Sequence, residues 1–261
     1  MSKAGQYITD LAARGQYHFT PEQMRSDLGV SAAAAKLALL RLAKQKLIAS
    51  PQRGFIVILP PEYQNLGCLP ADQFIPALMA RQKLPYYAGL LSAAQYHGAA
   101  HHRPQEFQVV TGKNRRSITC GAVRVTFVAR KRVTEVPVQA FNTPRGTVQV
   151  STIEATAIDL VGYESHAGGL DQVATILTEL AERMDQKRLV AAAQTAPVAW
   201  SQRLGFLLDR IGAGDRAVGL KEYVAKTARV TVPLLPSASH SGALRDHTWR
   251  LFVNADVEAD L

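Results

Sequence analysis

TPEQMRSDLGVSAAAAKLALLRLAKQKLIASPQRGFIVILPPEY occupies residues 20–63. Thr20 can cap a helix, Pro21 suits the first helical position, and Gln23 can reach back as in a capping box. Met24 and Leu28 supply an apolar stripe. Gly29 can take the left-handed conformation that ends a helix, and Ser31 can cap the next one. The spacing predicts that second helix from Ala32 to about Gln45, with Ala35, Ala38, Leu39 and Leu42 facing inward. Ser31, Ala32, Ala33, Lys36, Leu40 and Lys44 lie on the opposite face. "LIAS", "PQRG" and "FIVILP" then read as strand, turn and strand, with Arg53-Gly54 at or near the tip. Helix, glycine turn, helix and hairpin together form the pattern of a winged helix-turn-helix. Lys46 departs from it, standing where such folds often place Gly; a left-handed Lys costs about 1 kcal/mol.

The four alanines at Ala32–Ala35 fit this reading. A recognition helix enters the major groove by its N-terminal turns, and small side chains let its backbone come close. Alanine methyls can also meet thymine methyls. Alanine is in any case a good helix former, but propensity alone explains neither the cap–Gly–cap order nor the hairpin that follows. The candidate DNA-binding residues are therefore Ser31, Ala32, Ala33, Lys36, Arg41, Lys44 and Arg53, with operator specificity expected in Ser31 to Lys36. Upstream, Gly5 to Ala13 reads as a helix and His18-Phe19 as an extended piece.

Charge supports an anionic partner. The chain has 261 residues and a formal charge of +9. Residues 1–60 carry eight bases against three acids, and residues 101–132 carry eight against one. The stretch 61–100 is neutral and 133–261 is mildly acidic. Such asymmetry suits a nucleic-acid module joined to something else. The second basic block, Lys113, Arg115, Arg116, Arg124, Arg130, Lys131 and Arg132, has three readings. It extends a DNA footprint, faces a protein or RNA partner, or is solvated surface.

No segment approaches 18 uninterrupted apolar residues, so no membrane span is expected. The N-terminal stretch lacks the apolar run of a signal peptide. Cys68 and Cys120 are the only cysteines. They form no disulfide framework or zinc cluster and fit a cytoplasmic protein.

Residues 61–70, rich in Pro and Gly, read as a linker between a winged helix over 1–60 and a C-terminal domain over 71–261. Helices are expected at 72–80 and 87–97. Period-2 strands follow at "FQVVTG", "VRVTFVARK", "VPVQAFNT" and "GTVQVS". Ser151-Thr152-Ile153-Glu154 reads as a capping box starting a helix through Val161, with further helices at 170–184, 186–193 and 198–211. "WRLFVN" is a late strand. The fold class is α+β: the winged helix, then a mixed domain with a small sheet part at about 71–150 and a helical part at about 151–228.

Little suggests catalysis. His97, His101 and His102 lack the companions a metal site needs. Ser239-His240-Ser241 has no nucleophile elbow around it, and Gly112-Lys113 lacks P-loop spacing. Asp159 and Glu164 read as surface or cap residues rather than an acid–base pair. No catalytic residue, metal or cofactor is assigned, and the chain is read as a non-enzyme.

The segments "LPYYAGLLSAAQYHG" (84–98), "FQVVTGKNRR" (107–116), "STIEATAIDLV" (151–161) and "WSQRLGFLLDRIG" (200–212), with the N-terminal pattern, resemble the AbiEi-type antitoxins of bacterial type IV toxin–antitoxin systems. The resemblance spans most of residues 1–228. It implies a winged-helix repressor of its own operon that binds operator DNA, with inverted repeats expected. It also implies a C-terminal domain counteracting a nucleotidyltransferase-like toxin, functionally and not necessarily by direct binding. A nuclease-like enzyme with a DNA-binding module, with Glu106 and Lys113 as the residues to test, and a ligand-sensing winged-helix transcription factor remain the alternatives.

Overall fold

A computed structural model of the chain describes residues 2–99 and 105–258; His101, His102 and Arg103 lie outside them. The described residues form a mixed α+β protein with ten α-helices and several sheets. They divide into two compact units: residues 2–86, 105–129 and 140–149, and residues 87–99, 130–139 and 150–258.

The first unit opens with α1 (Lys3–Ala13), β1 (His18–Phe19), α2 (Pro21–Leu28), α3 (Ala32–Lys44), β2 (Ile48–Gln52) and β3 (Phe55–Ile58). The local signals act as the residue types require. The Thr20 hydroxyl accepts from the Gln23 amide at 3.0 Å and the Ser31 hydroxyl from the Ala34 amide at 3.2 Å. Gly29 ends α2 at φ 60°. Lys46 adopts φ 55°, the strained conformation its position demands. β3 pairs antiparallel with both β1 and β2. The β2–β3 register shifts between Ala49 and Gln52, where Pro51 has no amide to give to the ladder.

β3 is buried on both faces. Ile56 and Ile58 pack with Tyr7, Ile8, Leu11, Phe19, Met24 and Leu42 beneath the helices. Phe55 and Val57 point the other way, into a second core. That core is filled by α4 (Ala71–Arg81), through Phe74, Ile75 and Leu78, and by strands further along the chain. β4 (Tyr86–Ala88) follows α4. β5 (Phe107–Thr111) and β7 (Val123–Ala129) pair in parallel, and β6 (Ile118–Cys120) lies antiparallel to β7. Val109, Val125 and Phe127 face the same core. Residues 61–70, read above as a linker, contribute Cys68 and Leu69 to it, both almost fully buried. The packing therefore crosses the expected domain line at 60–71. β8 (Val138–Thr143) and β9 (Gly146–Ser151) form a hairpin. Arg145 near its tip lies over the Tyr17 ring at 4.1 Å and pairs with Glu62 at 3.4 Å.

The second unit is built around a buried helix. It contains α5 (Leu90–Tyr96), α6 (Ile153–Gly162), α7 (Leu170–Ala181), α8 (Gln186–Ala193), α9 (Val198–Arg210) and α10 (Val218–Thr227). α6 packs against α5, α7, α8 and α9, and its residues from Glu154 to Val161 are all buried. A helix covered all round must be apolar or must partner each polar group it carries. The cap of α6 is Thr152, one residue later than the predicted box, because the Ser151 hydroxyl is taken by Thr156 at 2.7 Å. Glu154 turns away to accept from the Asp185 amide at 3.1 Å. The expected helix at 87–97 begins only at Leu90: Tyr87 and Ala88 are strand, and β4 pairs in parallel with β9 through Ala88 and Val150.

Residues beyond α10 add β10 (Val232–Pro233), β11 (Leu244–Asp246) and β12 (Leu251–Val253), in the order β10-β12-β11. Trp249 anchors them. Its ring is 1% exposed, lies against Gly205 of α9, and donates its indole N–H to Asp209 at 2.6 Å. A Cβ on Gly205 would stand 2.0 Å from that ring. Gly205→Ala should therefore lower stability by about 1–3 kcal/mol, measured as a drop in thermal midpoint. An unchanged midpoint would show that the tryptophan is not seated as described.

Candidate functional site

Two places gather side chains that demand a functional or structural explanation: the exposed face of α3 in the first unit, and a buried polar centre in the second.

α3 turns Ala35 and Leu42 into the core, with Ala38 and Leu39 half-buried beside them. Ser31, Ala32, Ala33, Lys36, Leu40, Arg41 and Lys44 are all exposed. Arg53 is exposed at the β2–β3 turn, next to Gly54 at φ 74°. The sequence reasoning missed Leu37, which is 54% exposed on the same outer face. Helical spacing could have found it, four residues after Ala33. No Asp or Glu occurs between Ala32 and Lys44. Beside this face runs a largely apolar groove of about 410 Å³ between α2, α3 and the hairpin, lined in part by Arg25, Lys36, Leu39, Leu40 and Ile56.

The second basic block is not one structural group. Lys113, Arg115, Arg116 and Arg124 belong to the first unit, and Arg130, Lys131 and Arg132 to the second. Lys113, Arg116, Arg124 and Lys131 are exposed. Arg115 stacks over the Phe127 ring at 4.9 Å. Arg132 is exposed, forms an ion pair with Glu135, and donates to the Gln194 carbonyl at 3.0 Å. Arg130 must be removed from the surface group, because only 3% of its side chain is exposed.

Arg130 instead organises the second unit's interior. Its Nη1 lies 2.7 Å from Asp159 Oδ1 and donates to the Tyr87 hydroxyl at 2.9 Å. Nη2 donates to Thr195 Oγ1 at 2.9 Å, and the guanidinium lies 5.6 Å from the Trp200 ring centre. Tyr87 in turn donates to Asp159 Oδ2 at 2.7 Å. Asp159, expected at the surface, is fully buried in the middle of α6, and its charge is met by a guanidinium and a phenol. Complete burial pushes its carboxyl up to about 6, against the opposing pull of Arg130 and Tyr87. Burial works against the Arg130 cation too, but Asp159 and Tyr87 together hold it charged. Trp200 closes this centre by packing edge-on to Tyr163 at 4.9 Å and flat on Gly162, where a Cβ would stand 2.4 Å from the ring. The three polar residues come from a strand, a loop and a helix, so no local motif in the sequence announces them.

His97 caps the end of α5 and is 4% exposed, with Nε2 2.7 Å from the Ser151 carbonyl oxygen. Burial lowers its pKa from the ordinary imidazole value. It packs into the interior just after its helix. Among the described residues no group of three or more His, Cys, Asp or Glu could hold a metal. No described helix is long and apolar enough to cross a membrane.

Residues 87–210 match the family of the AbiEi antitoxin C-terminal domain. That segment begins at Tyr87 and includes Arg130, Asp159, Thr195 and Trp200. No curated protein matches the chain. Among solved structures it is similar to the crystal structure of the RV2827C protein from Mycobacterium tuberculosis, at 17% identity and a TM-score of 0.66, over 95% of this chain and 90% of that one. At that identity the likeness is one of fold.

The buried pair should behave as a unit. Arg130→Met leaves a buried carboxylate unanswered and should cost about 3–5 kcal/mol, while Arg130→Met with Asp159→Leu should recover much of that loss. Denaturant unfolding of the two variants checks it; additive losses would count against a coupled pair. His97 gives a pH signature. Its folded pKa lies below the unfolded value, so its contribution to stability falls as pH drops below about 6.5. Asp159, raised to about 6, opposes that slope and His18, lowered by its own burial, adds to it. The His97 share is therefore the difference between the parent and His97→Asn in unfolding measured from pH 5 to 8, and it should grow as pH falls.

Proposed function

Since residues 87–210 carry an AbiEi antitoxin C-terminal domain, we propose that the chain is the antitoxin of a type IV toxin–antitoxin pair and the repressor of its own operon. The antitoxin role rests on the domain match. It counteracts a nucleotidyltransferase-like toxin, acting on the toxin's effect whether or not the two proteins touch. The chain itself performs no catalysis in this reading.

The repressor role rests on the first sixty residues, which we read as a winged helix: α2 and α3 as the helix-turn-helix, β2–β3 as the wing. The observation that carries it is the exposed outer face of α3, bearing Lys36, Arg41 and Lys44 and no acid. The capped N-terminus of a helix can approach the duplex closely. Arg53 at the wing tip is placed to meet a phosphate on the neighbouring backbone. Lys113, Arg115, Arg116 and Arg124 are further cations of the first unit, and we assign them to the DNA footprint. Lys131 and Arg132 belong to the antitoxin unit.

The DNA role is tested with the full-length chain and the duplex upstream of its own gene. Replacing Lys36, Arg41, Lys44 and Arg53 together by Ala should reduce the slope of log affinity against log salt by about 3–4. All four positions are exposed, so circular dichroism should not change. The same variant should still rescue cells from the neighbouring toxin. An unchanged salt slope would sink the assignment, and loss of rescue in the folded variant would show that the two activities share these residues.

A further inference from the structure

The outer face of α3 is apolar as well as basic. With Ala35 and Leu42 buried, the 3.6-residue turn puts Ala33, Leu37, Leu40 and Lys44 farthest from the core, flanked by Lys36 and Arg41. Leu37 and Leu40 are 54% and 57% exposed. They are two of the six large hydrophobic residues left exposed among the described ones, and they stand one turn apart on one helix. Nothing in the local fold requires leucine there, since a charged residue serves an exposed helical site as well.

The same face has few groups that read bases by hydrogen bonding. Its first two turns contain no Asn, Gln or Arg, and Lys36, at the edge of the face, is the one side chain there that could grip a base through two bonds. The Ser31 hydroxyl accepts from the Ala34 amide at 3.2 Å, which leaves only its O–H to offer a base. The one apolar group on the floor of the major groove is the C5-methyl of thymine.

Resting on the DNA-binding reading above, we propose that α3 recognises its operator through thymine methyl groups, with Leu37 and Leu40 as the specificity-determining side chains beside Ala33. Lys36, Arg41 and Lys44 bracket the apolar stripe and take the flanking phosphates. Charge selects DNA as the occupant. An apolar protein surface laid on this stripe would strip water from three cations and offer nothing in return, whereas a duplex surrounds its thymine methyls with anions.

The test uses the full-length protein and a duplex it selects from a random pool. That duplex is prepared once with thymine and once with deoxyuridine, which removes the C5-methyl and leaves base pairing intact. Each contacted methyl removed should weaken binding about fourfold, the value of one buried methylene. The Leu37→Ala, Leu40→Ala double variant, at positions that tolerate alanine, should bind the thymine duplex less tightly than the parent. It should no longer distinguish thymine from deoxyuridine. Equal affinity of the parent for the two duplexes overturns the inference while the DNA-binding reading stands. Failure to select any duplex overturns both. If sedimentation shows an oligomer that the double variant dissolves, with the thymine preference unchanged, the stripe is an interface between copies and the inference is wrong.

Discussion

Strand β3 is the constraint on which the first unit depends. It is four residues long, all of them buried, and it separates two cores. Ile56 and Ile58 close the core under the helices, while Phe55 and Val57 belong to the core shared with α4, β5 and β7. A strand in the middle of two cores cannot slip by one residue. A slip would exchange its two faces, and the isoleucine and phenylalanine sets would have to refill cavities of different shape. The hairpin is therefore held from both sides, and with it the exposed turn at Arg53. The helices preceding it are held by the same strand.

The second unit solves a different problem. Its central helix is covered by four neighbours, and yet it carries a carboxylate. An ionised Asp159 in that position is tolerable only because Arg130 and Tyr87 reach it together. Thr195 and Trp200 then fix the guanidinium from its other sides. A buried pair of this kind contributes little net stability compared with a well-packed apolar replacement. Breaking it is what costs, because removing one partner leaves the other buried and alone. The pair ties a strand residue, a loop residue and two helices of the second unit to one arrangement. Glycine supports this arrangement at two points, Gly162 under Trp200 and Gly205 under Trp249, where flat aromatic rings lie directly on helix backbone.

The two units also divide the charge differently from the way the sequence groups it. Seven bases close in the chain read as one patch. Arg130 is in fact spent on Asp159, Arg132 is paired with Glu135, and Arg115 lies against Phe127. Lys113, Arg116, Arg124 and Lys131 stay exposed, as do the bases on α3 and at the hairpin turn, where no carboxylate competes within the helix. The inference about thymine methyls comes from the same observation: the exposed leucines share that acid-free face.

By itself the sequence determined the local elements. Thr20, Gly29 and Ser31 set the ends of α2 and α3, because caps and left-handed glycine act within four residues of themselves. The strands at 107–111, 123–129, 138–143 and 146–151 were legible from their period of two, and α7, α8 and α9 from their apolar stripes. So were the outward positions of Lys36, Arg41, Lys44 and Arg53. β6, α10 and the strands at 232–233 and 244–246 were not legible, being short or weakly patterned. Tertiary structure alone decided that residues 61–70 carry core side chains, that Tyr87 lies in a strand rather than a helix, and that Asp159 is buried. Those outcomes depend on residues 72 positions apart, such as Tyr87 and Asp159, meeting in space. A lone Asp in a helical pattern looks the same whether water or an arginine answers its charge; only the folded chain brings the arginine.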